Sequence, residues 1–197
     1  MPVLEGSGIR LEPMSEDHLD GLCEIGLDPD ISRLMPSSLT TRERMAAYVK
    51  DALAARAAFR AIPFVTVLLS DGPQPRIVGT TRFMSIDPRN RRMEIGATWI
   101  GKTWQRTRVN TEAKYLMLRH AFETLQCIRV EFKTDSLNNR SRAALLRIGA
   151  VQEGVFRNHL ITAEGRIRHS VYFSITLEEW PRVKAGLERM MRERPQP

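Results

Sequence analysis

Between residues 94 and 125 the chain changes its hydrophobic period from two to about four. Ile95, Ala97 and Trp99 alternate with Glu94, Gly96 and Thr98, the signature of a strand with one face on a core and Glu94 aimed off that face. After Lys102 the apolar positions Ala113, Met117, Ala121 and Leu125 recur four apart, with Leu118 and Phe122 beside them. Glu112, Lys114, Arg119 and Glu123 fill the opposite side, which predicts a helix laid on a sheet. The turn between the two is Gln105-Arg106-Thr107-Arg108-Val109-Asn110-Thr111. Two readings fit it. A helix N-terminus leaves backbone N–H groups unpaired and favours an anion, so the turn can cradle phosphate with its arginines and threonines adding donors. Alternatively Thr107, Asn110 or Thr111 caps the helix and the arginines are solvated.

Upstream, the GIRLE segment at 8 to 12 predicts a short strand, and Ser15 caps a helix through Leu19, Leu22, Cys23 and Ile25 that Asp28-Pro29-Asp30 breaks. Thr40 with Glu43 has the capping-box pattern for a second helix through Met45, Tyr48, Val49, Leu53 and Ala57. FVTVLLS at 64 to 70 and RIVGTTRFMSI at 76 to 86 read as a hairpin across Asp71-Gly72-Pro73. IRVEFKT at 128 to 134 alternates again; a strand after a helix implies a crossover and a parallel pair. A helix with Ala143 to Ile148, stopped by Gly149, a hairpin of 155 to 161 with 166 to 176, and a helix from Glu178 with a frayed tail over 189–197 complete the chain. One domain over 1–197 is the economical reading, with no repeat or linker.

Cys23 and Cys127 are far apart and lie outside any metal-ligand spacing, so a reducing compartment without metal is expected; Cys127 reads as core. No leader pattern and no apolar run of about 20 residues is present, which predicts a soluble, cytoplasmic protein with no membrane association. A net charge of +7 and a pI near 10 point to an anionic partner, either nucleic acid or a multiply phosphorylated cofactor. The aromatics are few and do not interleave with basic residues, so nucleic acid is the weaker choice. No GxxxxGK[ST] occurs.

The order of these elements, with EIGATWI, QRTRVN, the NNRS segment and RIGAVQEGVFRNH, resembles the GNAT superfamily of acyl-CoA-dependent N-acyltransferases, nearest its RimJ/RimL-like ribosomal-protein branch. The resemblance covers nearly the whole chain. It implies an α/β fold of α+β type: a mixed, mostly antiparallel sheet of about seven strands with a central splayed parallel pair, flanked by helices. It also implies transfer of acetyl from acetyl-CoA to a primary amine, on a protein N-terminus or a small molecule, by direct attack in a ternary complex without metal. The oligomeric state is open, a homodimer included.

Carried over residue by residue, Gln105 opens the pyrophosphate turn, but Arg108 stands where that family has its first Gly and Asn110 where it has a small residue. Gln105, Arg106, Thr107, Arg108, Val109, Asn110 and Thr111 are then the cofactor's turn, with the Arg106 and Arg108 guanidiniums supplementing backbone donors. The resemblance places Asn138 on the pantetheine arm, Arg142 beside the cofactor, and backbone N–H groups of Thr98, Trp99 and Ile100 on the thioester oxygen. Glu94 is implied as the base that takes the amine proton. The tyrosine that many members use to protonate the thiolate is replaced by Leu145, so Ser141 is implied to assist. His120, His159 and His169 show no evident Asp, Glu or Ser partner; His159 and Tyr172 fall near the expected acceptor entrance. The rival reading is a basic RNA- or ribosome-associated module on the same fold without catalysis.

Overall fold

The computed structural model describes residues 2–69 and 75–193, so the expected turn at Asp71-Gly72-Pro73 lies outside the described residues. The strands are β1 (Leu4–Glu5), β2 (Ile9–Pro13), β3 (Ala61–Leu68), β4 (Arg76–Asp87), β5 (Arg92–Ile100), β6 (Arg129–Asp135), β7 (Val151–Ile161) and β8 (Ile167–Thr176). They form one sheet in the order β1-β2-β3-β4-β5-β6-β8-β7. Every neighbouring pair is antiparallel except β5 with β6. The mixed sheet and its parallel pair are as the pattern predicts, with the two-residue β1 added at one edge.

The helices are α1 (Leu19–Gly26), α2 (Pro29–Ser32), α3 (Arg42–Ala57), α4 (Val109–Arg119), α5 (Asn139–Arg147) and α6 (Trp180–Glu193). Two cores result, one on each face of the sheet. Leu22 of α1 and Met45 and Val49 of α3 pack on Val65, Val67 and Trp99. On the other face Ala113, Leu116 and Met117 of α4, Leu145 of α5 and Val183 and Leu187 of α6 close over Phe64, Phe83, Ile95, Phe132 and Phe173. Residues 189–193, expected in a frayed tail, continue α6. That helix is anchored at its start, where the Trp180 ring stacks on Phe122 at 5.4 Å and its indole N–H donates to Glu123 Oε1 at 3.0 Å.

Three local expectations need correction. Helix α3 is capped by Thr41, whose hydroxyl accepts the Arg44 N–H, one residue after the Thr40 of the capping-box pattern. The central helix keeps α-geometry only to Arg119 and runs on as a π turn over His120–Thr124. Glu112 and Lys114 do not face solvent: both are buried, because β1 and β2 cover one flank of α4 while the sheet covers another. Glu112 Oε1 accepts the Gly8 N–H at 2.9 Å and the Ser7 hydroxyl at 3.3 Å, tying the β1–β2 turn to the helix.

The alternation in β5 is also broken. Ala97 takes φ +48°, and the ladder with β4 slips there, so that Thr80 pairs with Trp99 but Arg82 with Gly96. This one-residue bulge puts Ile95 and Trp99 on opposite faces, in different cores, where strict alternation would have put them together. The displaced Ala97 carbonyl accepts hydroxyl donors from Tyr48 and Thr80, each at 3.3 Å.

Candidate active site

The β5–β6 ladder pairs only Arg92 with Arg129, Met93 with Val130 and Glu94 with Glu131. Beyond that point β5 continues to Ile100 and β6 to Asp135 without pairing each other, so the sheet opens into a wedge with Glu94 at its apex. Glu94 is 3% exposed. Its Oε2 accepts from Lys133 Nζ at 3.0 Å and from the Ser85 hydroxyl at 3.2 Å. Ser85 sits at a second bulge, φ +51°, where β4 slips against β5, and this re-aims its hydroxyl at the carboxylate. A side chain at Gly96 would come within 2.9 Å of Glu94 Oε1, so glycine keeps the space beside the acid open.

At the wide end of the wedge lies a cavity of about 600 Å³ lined by α2 and its loop, Lys102, Gln105 and the start of α5 from Leu137 to Arg140. It brings together two of the predicted cofactor residues, Gln105 and Asn138. Gln105 bridges the mouth, donating to the Ile100 carbonyl at 2.9 Å and accepting from Arg140 at 2.7 Å. Asn138 Oδ1 accepts the Ser141 N–H at 2.9 Å and caps α5. The Ser141 hydroxyl makes no hydrogen bond among the described residues. Arg142 reaches back to the Ser136 carbonyl at 3.4 Å, with its Nε buried and unbonded.

In the turn before α4, Arg106 is exposed in the left-handed region at φ +66°. Thr107 donates to the Trp104 carbonyl at 2.7 Å and accepts the Val109 N–H at 3.3 Å. Arg108 has φ −75° and ψ −12°, an ordinary right-handed backbone that needs no glycine. Its guanidinium is turned onto Ser7 at 3.3 Å and Glu112 at 3.6 Å. Val109 and Thr111 are buried at the helix start. Asn110 Oδ1 and Thr111 Oγ1 are sealed from solvent without a partner. Buried polar atoms are normally satisfied; here Asn110 Oδ1 can only accept and Thr111 Oγ1 is closed to solvent, so it is the backbone N–H groups at the start of α4 that leave donors for an anion.

Thr98, Trp99 and Ile100 line β5 where it leaves β6. Trp99 packs under α1 with its indole nitrogen unbonded, and Ile100 joins the α4-side core. The Thr98 hydroxyl bonds Thr81 at 2.8 Å and accepts from Lys114 Nζ at 2.8 Å. Lys114, which the helical pattern placed on a polar flank, spans the wedge from below, with its ammonium 5.9 Å from the Phe132 ring of β6. Desolvation alone lowers its pKa from 10.5 to about 7.

On the other side of the wedge the histidines do have partners. His159 Nδ1 lies 3.0 Å from the Ser170 hydroxyl and Nε2 3.4 Å from Tyr172 OH. Burial pushes the His159 pKa below the usual imidazole value, and Lys133 and Arg168 add to the shift against an opposing Glu94. His169 Nδ1 accepts the Asn158 N–H at 2.8 Å. A cleft of about 760 Å³ opens here between Phe156, His159 and His169. Lys133 and Ser85 were not singled out from the sequence. The available signal was the run Arg129, Glu131, Lys133, Asp135 on one face of β6 beside Ser170, Tyr172 and Ser174 on β8, a polar sheet face too large to be ordinary surface. Cys127 is core as expected, 3% exposed, with its thiol pKa pushed up by burial. Among the described residues no group of three His, Cys, Asp or Glu could hold a metal ion, and no helix is long and apolar enough to cross a membrane.

A splayed parallel pair followed by a helix N-terminus, with a buried carboxylate at the apex, is the arrangement that the resemblance in the sequence implies, and comparison with known proteins assigns the class, an acetyltransferase. Residues 9–151 match the Acetyltransferase (GNAT) domain family, and the chain belongs to it. YdaF of Bacillus subtilis (strain 168), provisionally named a ribosomal N-acetyltransferase, is 34% identical over 113 residues, 57% of this chain and 59% of YdaF. The alignment thus spans less than two thirds of that relative's length. The crystal structure of a provisionally named acetyltransferase from T. thermophilus is 34% identical and superposes with a TM-score of 0.86 over 96% of this chain and 97% of its own. RimJ from Mycobacterium smegmatis, solved in complex with CoA-disulfide, shares the fold: 24% identity, TM-score 0.75, covering 95% and 90% of the two chains.

Proposed function

We propose that the protein is an acetyl-CoA-dependent N-acetyltransferase of the RimJ/RimL-like branch, acting on the amine of a protein N-terminus. The observation that carries this reading is the wedge: β5 and β6 part immediately after Glu94, and the carboxylate sits buried at the apex, held by Lys133 and Ser85. In this reading the first-turn N–H groups of α4 take the pyrophosphate, and Gln105 and Asn138 flank the pantetheine. Backbone N–H groups of Thr98 and Ile100 hold the thioester oxygen; the Gly101 N–H donates to the Val78 carbonyl, and since strand amides alternate, the Trp99 N–H also turns toward β4, away from the wedge. Glu94 takes the proton from the attacking amine and the Ser141 hydroxyl donates toward the departing thiolate, so no enzyme-bound acyl group is needed. Arg108 serves the fold through Glu112, leaving Arg106 as the exposed guanidinium of the turn.

Relatives named for ribosomal substrates support a protein acceptor, and the CoA complex of RimJ supports the cofactor. Titration calorimetry with coenzyme A, followed by thiol release from acetyl-CoA in the presence of N-terminal peptides, tests the reading. Binding in the micromolar range and peptide-dependent thiol release are expected. The absence of coenzyme A binding at millimolar concentration would sink it.

A further inference from the structure

On β8 the two-residue period puts Arg168, Ser170 and Tyr172 on the face away from α4, while Val171, Phe173 and Ile175 enter the core. Arg168 is only 4% exposed. Its Nε donates to the Ser170 hydroxyl at 3.2 Å, but neither terminal nitrogen has a hydrogen bond among the described residues, and neither is sealed from solvent. The carboxylates of this face are all held elsewhere. Glu94 is paired with Lys133, Asp135 with Arg166, and Glu131 and Glu153 with Arg129. Burial lowers the Arg168 pKa, partly offset by the fields of Asp135 and Glu94. A buried guanidinium whose terminal nitrogens bear no carboxylate of their own costs stability even within the fields of Asp135 and Glu94, so its place is not explained by a pairing inside the fold. Its two free donors form the fork that matches a carboxylate.

A continuous polar path joins Arg168 to the apex of the wedge. Ser170 leads to His159 at 3.0 Å, His159 to Tyr172 at 3.4 Å, and Tyr172 lies opposite Lys133 in the β6–β8 register, with Lys133 on Glu94. The Phe156 ring stands 4.3 Å from that of Tyr172 and is half exposed, giving the path an apolar side. From Tyr172 to Arg168 is about 14 Å along the strand at ~3.4 Å per residue, and the long arginine side chain shortens the span to be bridged. An amine at Glu94 and an anion at Arg168 are therefore separated by two or three residues of extended peptide, too far for a single free amino acid.

We propose that Arg168 anchors an acidic subsite for the acceptor: the substrate is a peptide N-terminus with Asp or Glu at its second or third position, whose carboxylate lies across the two free guanidinium nitrogens. This rests on the acetyltransferase reading above and deepens it. The net charge of +7 favours the approach of such acidic acceptors.

The test uses the full-length protein, acetyl-CoA and three acceptors: Ser-Asp-Ala-Ala-amide, Ser-Asn-Ala-Ala-amide and free aspartate. The wild type should favour the acidic peptide by about 10- to 100-fold in kcat/KM, the discrimination of one charge-assisted pair, chiefly through KM. Arg168→Met should erase that preference, keep the rate on the Asn peptide, and melt no lower than wild type. Arg168→Lys should restore part of the preference. Equal use of the two peptides by the wild type overturns the proposal, as does preference retained in Arg168→Met. A large loss of melting temperature in Arg168→Met also overturns it, since the guanidinium would then serve the fold. Free aspartate used as well as the acidic peptide overturns the spacing. If no amine is acetylated and coenzyme A does not bind, the acetyltransferase reading has failed; calorimetry with the two peptides then still decides the subsite by itself.

Discussion

Lys114→Met should make this protein more stable, by an amount that depends on pH. The ammonium of Lys114 is buried with the Thr98 hydroxyl as its hydrogen-bond partner, and its pKa falls from 10.5 to about 7. At about 1.4 kcal/mol per unit, charging this lysine in the folded protein costs up to about 5 kcal/mol relative to the unfolded chain. Between pH 7 and 10.5 the unfolded state binds more protons than the folded one, so wild-type stability rises with pH across that window. Below about pH 7 the whole penalty is present, and above about pH 10.5 it is gone. Methionine fills a similar volume without charge, and the Thr98 hydroxyl keeps Thr81 as a partner. Allowing for relaxation around the ammonium, a gain of ~2–4 kcal/mol at about pH 6 corresponds to roughly 5–15 °C in melting temperature for a chain of this size. Thermal denaturation of both proteins at about pH 6, 7.5 and 9 measures it, and the gap should shrink as pH rises. A gap constant with pH, or a variant less stable at the acid end, would refute the burial argument.

Glu94→Gln should lower kcat/KM by about 100-fold or more near neutral pH, with the deficit narrowing toward pH 10 as the acceptor amine deprotonates without help; an unchanged pH–rate profile removes Glu94 from the mechanism. Gly96→Val should abolish transfer, because its side chain enters the space beside Glu94 Oε1, while circular dichroism shows the sheet intact; retained turnover would show that this space is not used. Glu112→Ala, which strips the Gly8 N–H and Arg108 of their buried partner, should cost about 2–4 kcal/mol in denaturant melts; a loss below ~0.5 kcal/mol would place the β1–β2 clamp outside the stability of the fold.

The strand, helix and strand from Glu94 to Asp135 were legible because two periods, 2 and about 3.6, sit side by side with a polar turn between them. What escaped is what periodicity assumes away. The bulges at Ser85 and Ala97 fall on residues with no turn signature, so nothing in the sequence announces that Ile95 and Trp99 part company. A two-sided helix such as α4 hides Glu112 and Lys114 under elements about 100 residues away or across the sheet, and their polar identity argued for solvent. Arg108 reads as a phosphate ligand until the β1–β2 turn supplies Glu112 and Ser7. His159 gains its partners only when the bulged β7 lies on β8, a register that alternation alone does not fix.

The extra residue at Ala97 has a consequence for how this segment can change over time. Loss of a single residue between Gly96 and Ile100 would carry the Trp99 indole out from under Gly26 and swing Thr98 off Lys114, inverting everything downstream as far as the cofactor turn. Gain of one would do the same from the other side. Substitutions that spare Gly96 and the Thr98 hydroxyl leave this register intact, whereas a one-residue insertion or deletion is barred by parity.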